Sequence, residues 1–232
     1  MAGPDPDWFA DLARRLAADD QLDAVLNRVV QASRRRVAGA EHAGITMVTG
    51  RSVETPAATD PLVRDVDRLQ YATGQGPCLA AAVERHRAVR VDDLGTDRRW
   101  PEFSAAAADL GVRSMLSLQL FTGAETIGAL NLYAAAPHAF GDESVRIGSL
   151  LAAQAAAAAV AAVRTGNLRI ALHTRDVIGQ AKGILMERHK ITAERAFDLM
   201  IGASQQTHRK LADVAADLAA TGELTLDRKR SG

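Results

Sequence analysis

The sequence predicts an α+β protein, in which an antiparallel sheet with flanking helices is followed by a long connecting helix and an all-α module of three helices. Two observations carry this prediction. Strand-like segments stand among helical periodicities over roughly residues 22–140, which is typical of an α+β sheet domain. Beyond that point only helical periodicity remains. Hydrophobic residues form 47% of the 232-residue chain, which is enough to build a core in each part.

Two helices and a pair of strands are expected first. Between residues 8 and 38, apolar residues recur at helical spacing around a break at Asp19 and Asp20, which predicts two separate helices. The segment AGITMVT, 43–49, has the composition of a strand. SVETPAAT is its expected neighbour across a turn at Gly50.

Short helices and strands are expected in the middle of this domain. DPLVRDVDRLQYATGQGP indicates a helix that ends in a loop around Gly74, Gly76 and Pro77. CLAAAVERH then indicates a short helix, and RAVRVDDL a short strand. A helix is predicted over 101–111, because this segment begins with proline and ends at glycine. VRSMLSLQLF and TIGALNLYAA, joined by TGAE, predict a hairpin of two strands.

A long helix is expected after GDES, where Asp142 or Ser144 can cap it. Positions along this helix repeat at spacings of four and three, as in a coiled-coil seam. They are Ile147, Leu151, Gln154, Ala158, Ala161, Thr165, Leu168 and Leu172. Two interpretations stay open: the seam joins two copies of the chain, or the alanine-rich face covers the sheet of its own chain. The first is favoured because the run is longer than one small domain needs.

Three helical patterns occupy roughly the last fifty residues. The first breaks at HKIT, the second begins after Thr192, which is a good N-cap, and the third ends at Thr221 and Gly222. Each pattern carries a narrow apolar stripe. We therefore expect the three helices to bury these stripes against one another.

The segment IGQAKGILMER, 178–188, places two glycines around a lysine inside the first of these helices. A phosphate loop needs the lysine after its second glycine and then a serine or threonine, and neither condition is met. Gly179 and Gly183 instead lie one turn apart on one helix face, with Ala181 nearby, where a second helix or a nucleic acid could approach closely. Each glycine costs a helix about 1 kcal/mol relative to alanine, so we expect this face to have a function.

Charge is balanced over the whole chain but not along it. The chain has 28 basic and 28 acidic residues, whereas from residue 164 onward there are 12 basic and 8 acidic ones. The C-terminal part is therefore the better candidate for binding a polyanion. No run of eighteen uninterrupted apolar residues and no signal peptide is recognisable, so we expect a cytoplasmic protein without a membrane partner.

No arrangement typical of a catalytic or metal centre is recognisable in the sequence. It has no nucleophile paired with a base, no HExxH motif and no glycine-rich nucleotide fingerprint, which disfavours an enzyme. His86 and His138 lack metal-ligand spacing, and the acidic run of Asp92, Asp93 and Asp97 is expected to be a charged loop.

Cys78 is the single cysteine of the chain, so it cannot form an internal disulfide. One interpretation makes it a redox or chromophore-attachment site. The preferred one makes it a small apolar residue that begins a helix after Pro77.

The C-terminal part resembles a known family. RDVIGQAKGILMERHKITAERAFDLMIGASQQTHRKLADVAADL, 175–218, is similar to the ANTAR domain, the three-helix RNA-binding module of bacterial transcription antiterminators. The resemblance rests on the AKGxLM core at 181–186, the AF pair at 196–197, Ser204 and the KLADVA-like third helix at 210–215.

The preceding part resembles the GAF sensor domains of actinobacteria. It does so through GQGPC at 74–78, RWPEF at 99–103, GVRSMLSLQL at 111–120 and IGALNLYA at 127–134. No cofactor is implied, although GAF domains can take an unknown small-molecule signal. The resulting division of the chain is a GAF-like sensor domain over 1–141, a connecting helix over 142–170, an ANTAR domain over 171–226 and a basic tail over 227–232.

The ANTAR resemblance implies RNA as the partner, in the form of two small stem-loops bound by paired modules so that a terminator hairpin does not form. A homodimer through the connecting helix or the sensor domain is therefore expected. Loop bases can be stacked and hydrogen bonded, unlike those in the narrow major groove of duplex RNA. The expected RNA-binding residues are Arg175, Gln180, Lys182, Gly183, Ser204, Gln205, Thr207, Arg209 and Lys210.

These residues have different expected roles. Arg209 and Lys210 suit phosphate contacts, whereas Gln180, Ser204, Gln205 and Thr207 suit contacts to bases. Each polar side chain has a solvated helix face or a cap as its alternative. For Ser204 and Thr207 the alternative is an N-cap of the third helix, and for Arg175 it is an ion pair within its own helix.

Two other functions stay open at this point. One is a DNA-binding helix-turn-helix regulator with RKLADVAADLAATG as the groove-reading helix, although the apolar stripe of this segment leaves few side chains to read bases. The other is a nucleotide-consuming enzyme in the first domain.

Overall fold

The computed structural model describes residues 5–50, 52–123 and 125–224. The basic tail predicted over 227–232 lies outside these residues. The chain divides into two compact units, with the boundary between Arg164 and Thr165. This boundary falls inside the segment 142–170 that the sequence predicts as a connecting helix.

Two helices open the first unit as predicted: α1 is Pro6–Ala18 and α2 is Leu22–Arg36. Asp5 caps α1, because its Oδ1 accepts hydrogen bonds from the backbone N–H groups of Asp7 and Trp8 at 3.1 and 3.3 Å. The helices turn their apolar faces to the core, where Leu16 and Leu26 are fully buried.

The first unit contains the predicted antiparallel sheet. Its strands are β1 His42–Thr49, β2 Ser52–Ala58, β3 Ala88–Val91, β4 Ser114–Thr122 and β5 Glu125–Ala134, in the order β2-β1-β5-β4-β3. All neighbouring strands are antiparallel. The predicted hairpin is confirmed as β4 and β5, the longest strands, which lie at the middle of the sheet.

Helices cover both faces of this sheet. Three of them are α3 Pro61–Thr73, α4 Pro77–Ala82 and α5 Pro101–Asp109, and each begins with proline in its first turn. Alternation along β4 separates two cores: Leu116 packs in the same cluster as α1 and α2, whereas Met115 packs with α3 and α5. The sheet is therefore the middle of three layers.

A single helix, α6, runs over Asp142–His189. Its first part packs on the sheet of the first unit: Leu151 is buried in the core, and Ile147 and Ala158 are partly buried against it. Gln154 Nε2 donates a hydrogen bond to the carbonyl oxygen of Phe9 at 3.3 Å. The first half of the predicted seam is thus internal packing, since helical spacing does not tell whether a face meets a sheet or another helix.

The rest of the seam is exposed within the chain. Ala161 and Thr165 face solvent, and Leu168 and Leu172 expose 62% and 51% of their surface. The length and composition of α6 would allow it to cross a membrane. However, 39% of its most apolar 18-residue segment is buried in the protein, and the core helix of a soluble protein can be equally long and apolar.

The second unit contains the end of α6, α7 (Ala193–Thr207) and α8 (Leu211–Thr221). The predicted cap is confirmed, because Thr192 Oγ1 accepts a hydrogen bond from the backbone N–H of Arg195 at 3.3 Å. Gly222, with φ of 77°, ends α8. The apolar stripes meet in one core, formed by Ala181, Leu185, Ala196, Met200, Ala215 and Leu218.

Candidate functional site

The two helical glycines of the second unit face open space. Among the described residues, no heavy atom apart from those of the helix itself lies within 4 Å of the position that a Cβ would take at Gly179 or Gly183. Ala181 does not share this face as expected: it is fully buried in the core, because two residues turn a helix by roughly 200°. Ala181 therefore contributes to the core of the unit and not to the open surface beside the two glycines.

An open groove lies beside each glycine. The first, here called the Gly179 groove, has a volume of about 500 Å³ and is lined by Ala171, Thr174, Arg175, Ile178, Gly179 and Lys182. The second, the Gly183 groove, has a volume of about 840 Å³ and is lined by Gln180, Gly183, Ile184, Glu187, Arg188, Lys190 and Ala219. Both combine apolar walls with hydrogen-bond donors.

The predicted residues of α6 divide between these grooves. Arg175 and Lys182 line the first, and Gln180 and Gly183 line the second. Arg175 and Gln180 are exposed and, within the described residues, form no hydrogen bond or ion pair through their side chains. Their donors are therefore available to a ligand.

Lys182 lies near a carboxylate at the start of α7. The pKa of Glu194 is lowered by hydrogen bonds from its own backbone N–H and from Thr192, and further by the positive charge of Lys182.

Polar residues at the end of α7 stabilise the turn that leads to α8. Ser204 Oγ donates a hydrogen bond to the carbonyl oxygen of Arg209 at 2.6 Å, and the Arg209 N–H donates to the Ser204 carbonyl at 3.2 Å. Thr207 Oγ1 donates to the carbonyl oxygen of Ala203 at 2.7 Å. The N-cap of α8 is Lys210, so the interpretation of Ser204 or Thr207 as that cap is wrong: α7 continues through both residues.

Charge at this turn is partly compensated. The Arg209 guanidinium forms an ion pair with Asp217 at 2.7 Å. Gln205 and Lys210 are exposed and, in the part of the chain that the structure describes, their side chains have no bonded partner. None of the predicted residues of this turn lines either groove beside the glycines.

Three side chains with hydrogen-bond donors in the grooves were not predicted from the sequence: Thr174, Arg188 and Lys190. Helical spacing could have indicated Arg188, because it lies four residues beyond Ile184, another residue of the Gly183 groove. Lys190 could not be placed in this way, because it lies beyond the end of α6 with φ of 51°.

A buried polar cluster lies between the sheet and α3 in the first unit. Asp67 is fully buried and accepts hydrogen bonds from Tyr133 at 2.6 Å, Thr55 at 2.7 Å and Gln70 at 3.0 Å. Burial raises the pKa of Asp67 to about 6, although these three donors oppose the rise. No lysine, arginine or histidine among the described residues forms an ion pair with this carboxylate.

The same cluster extends to Cys78. Thr55 and Thr46 each share a hydrogen bond with the Tyr71 hydroxyl, at 2.8 and 2.9 Å, and the Cys78 thiol donates to Thr46 Oγ1 at 3.0 Å. Burial raises the pKa of the thiol far above its usual value, with a further contribution from the charge of Asp67. Cys78 is thus a buried thiol in the first turn of α4, as the preferred interpretation expected, but its surroundings are polar.

The acidic loop is neutralised by arginines. Asp93 pairs with Arg113 at 2.8 Å and Asp97 with Arg99 at 2.6 Å. Within residues 5–50, 52–123 and 125–224, no three His, Cys, Asp or Glu side chains are grouped so that they could hold a metal ion.

Comparison with known proteins assigns both parts of the chain. Residues 19–159 match the GAF domain family, and residues 166–218 match the ANTAR domain family. No curated protein matches this chain.

Solved structures share the fold of the first unit. The GAF domain of a phosphoenolpyruvate-protein phosphotransferase from Acinetobacter superposes with a TM-score of 0.55 at 14% identity, covering 72% of this chain and 99% of that one. The corresponding domain from Coxiella burnetii gives 0.55 at 18% identity, covering 68% and 94%. Free methionine-R-sulfoxide reductase from Neisseria meningitidis gives 0.54 at 18% identity, covering 67% and 88%.

These findings agree with the architecture described above. The three-layer sheet unit is the part that the GAF match covers, and the helical unit with the open glycines is the part that the ANTAR match covers. GAF domains are sensory domains and ANTAR domains are RNA-binding antiterminator modules. This chain belongs to the GAF domain family and carries a C-terminal ANTAR domain, and it is thereby a signal-responsive regulator.

Proposed function

We propose that this protein promotes transcription antitermination in the cytoplasm by binding paired stem-loops in nascent RNA, under the control of a signal received by its GAF domain. The open glycine face of α6 carries this proposal. Gly179 and Gly183 together cost the helix roughly 2 kcal/mol relative to alanine. Within the described residues no atom occupies the space beside them, and each lines a groove that also holds hydrogen-bond donors, which supports an external ligand.

Loop bases of RNA suit this surface. A base without a stacking partner can enter a groove with apolar walls, where Ile178 or Ile184 contacts its face and donors at the rim contact its edges. Gln180 can read a base edge, while Arg175 and Lys182 reach phosphates or bases beside the Gly179 groove. At the α7–α8 turn, Gln205 is the free base-reading side chain, and Ser204 and Thr207 can still accept hydrogen bonds.

The same arrangement argues against a DNA-reading helix. Within Leu211–Thr221 no residue is basic, and the exposed positions include Asp213 and Asp217. Two carboxylates on the outer face of α8 would be repelled by the phosphates that line a major groove.

A homodimer fits the exposed half of α6. Leu168 and Leu172 lie about one turn apart on one side of the helix and expose 62% and 51% of their surface, whereas Val163 and Ile170 lie on the opposite side. We assign a second copy of the chain to the side that carries Leu168 and Leu172, since these two residues continue the coiled-coil spacing. Two copies would present two ANTAR modules to two stem-loops.

The test compares ligands on the full chain at several salt concentrations. The affinity for an RNA with two stem-loops should be high and should depend on the loop sequence. The affinity for a DNA duplex of equal charge should be low. Since both ligands gain from phosphate neutralisation, the salt series separates this shared contribution from loop recognition. Equal affinity for the two at high salt would contradict the proposal.

A further inference from the structure

A groove of about 490 Å³ lies between α1 and α2 in the first unit. Its floor is apolar, because Leu12 and Ala32 are each only 5% exposed, and Trp8 forms part of its wall. One side of the groove comes from α1, Pro6–Ala18, which precedes the residues that match the GAF family. The groove is therefore separate from the buried cluster around Asp67.

Four arginines and one aspartate line this groove. Two of the arginines are neutralised, since Arg15 pairs with Asp11 at 2.6 Å and Arg28 pairs with Asp19 at 2.7 Å. The guanidinium charges that remain are those of the other two.

Arg35 and Arg36 have no carboxylate partner among the described residues. Arg35 Nε donates to the carbonyl oxygen of Gln31 at 3.1 Å, which leaves its terminal nitrogens free. The Arg36 guanidinium lies 4.5 Å from the ring centroid of Trp8, which holds it at the groove without neutralising it. Two positioned guanidinium groups thus stand above an apolar floor.

We propose that this groove binds a nucleoside triphosphate or an equivalent 5′-triphosphate group. Guanidinium groups bind phosphates through paired N–H donors, and two uncompensated ones can share a polyphosphate chain. The apolar floor and Trp8 offer a surface for the planar base. The volume falls in the range of roughly 300–1,000 Å³ that small-molecule sites occupy.

The triphosphate group could belong to a free nucleotide or to the 5′ end of an RNA. Binding is measured on the full chain carrying Trp100→Phe, so that Trp8 is the remaining tryptophan, since the chain has two. The probes are inorganic triphosphate, ATP and GTP, and a short RNA with either a 5′-triphosphate or a 5′-hydroxyl. Saturable quenching of Trp8 by the triphosphate-bearing probes is expected, and the difference between ATP or GTP and the 5′-triphosphate RNA identifies the source.

Three variants locate the site. Arg35→Gln leaves the Arg36–Trp8 contact in place and should weaken binding about tenfold, and addition of Arg36→Gln should abolish it. Arg34→Gln removes the same charge from the adjacent position of α2, which does not line the groove, and should change the affinity less than about twofold. Thermal unfolding of each variant shows that the domain remains folded.

The proposal is overturned if no triphosphate probe binds saturably, if the 5′-hydroxyl RNA quenches Trp8 as strongly as the 5′-triphosphate RNA, or if Arg34→Gln weakens binding as much as Arg35→Gln. Loss of stem-loop binding at the ANTAR domain would leave these results unchanged, because the groove is formed wholly by α1 and α2 of the first unit.

Discussion

The Tyr133 hydroxyl donates a 2.6 Å hydrogen bond to Asp67 Oδ1, and both side chains are fully buried. The bond joins the long strand β5 to α3, the helix that covers it. Burial raises the pKa of Asp67 to about 6, so the fold favours its protonated form, and no cation among the described residues compensates the carboxylate. The buried cluster therefore couples the stability of the sensor domain to pH.

The sign of this coupling follows from linkage. The folded protein holds the Asp67 proton up to about pH 6, whereas the unfolded chain releases it near the usual value of 3.8. Protonation of Asp67 therefore adds most to the free energy of unfolding below pH 3.8. This contribution is lost as the pH rises through about 6. The full loss is of order 3 kcal/mol.

Asp67→Asn should remove this dependence. The amide oxygen can still accept from Tyr133, and the Thr55 hydroxyl can turn toward Tyr71. Denaturant unfolding between pH 4 and 7 should show the variant gaining stability relative to the parent protein as pH rises. Asp65→Asn, an exposed position on the same helix that pairs with Arg68, is the control and should show no such trend. A constant difference between Asp67→Asn and the parent protein at all pH values would contradict the buried-charge account.

The ion pair at the α7–α8 turn predicts a gain of function. Asp217→Asn removes the carboxylate 2.7 Å from Arg209 and leaves the guanidinium free for a phosphate. RNA affinity should rise a few-fold, and the slope of log affinity against log salt should steepen by up to about one unit. Filter binding or fluorescence anisotropy over a salt series measures both quantities.

Asp213→Asn provides the matched control for that measurement. It removes the same charge from the exposed face of α8, but among the described residues Asp213 forms no ion pair. If both variants raise the affinity equally, the general charge of α8 accounts for the effect and Arg209 has no particular role.

The exposed half of α6 predicts an oligomeric state. Leu168→Gln with Leu172→Gln should convert a dimer into a monomer in analytical ultracentrifugation and should weaken binding to a double stem-loop much more than to a single one. Leu150→Gln, at a side chain that is 42% exposed on the same helix but outside the predicted seam, should leave the dimer intact. A parent chain that sediments as a monomer at micromolar concentration would contradict the assignment.

Patterns of neighbouring residues in the sequence were enough to predict the helices and strands, but not the buried polar cluster around Asp67. The break at Asp19 and Asp20, the hairpin of β4 and β5, and the cap at Thr192 each depend on residues close in sequence, and the structure confirms all three. Asp67 gave no such signal. Its burial depends on Tyr133, 66 residues away, and on helix packing that no periodicity reports.

The predictions that the structure corrects, for the seam of α6 and for the cap of α8, likewise depend on contacts that the local sequence does not report. The spacing at Leu151 and Ala158 is compatible with a coiled coil and with packing on a sheet, and only the tertiary contacts decide between them. Ser204 and Thr207 are typical helix caps, yet α7 continues through both: the Thr207 hydroxyl bonds to the Ala203 carbonyl one turn earlier, and the Ser204 hydroxyl bonds to the Arg209 carbonyl beyond the helix. Gly179 and Gly183 were placed correctly on one face because helical geometry alone fixes that relation.

The most direct test of the central claim is the affinity of Gly183→Leu for a double stem-loop RNA. A side chain at this position meets open space, so the helix should form at least as well as in the parent protein, while the leucine fills the surface that a base or RNA backbone approaches. Gly202→Leu, at another helical glycine with open space around it, is the control for the substitution itself. We predict that Gly183→Leu abolishes RNA binding in a fully folded protein and that Gly202→Leu retains it. Undiminished RNA binding by Gly183→Leu would contradict the account.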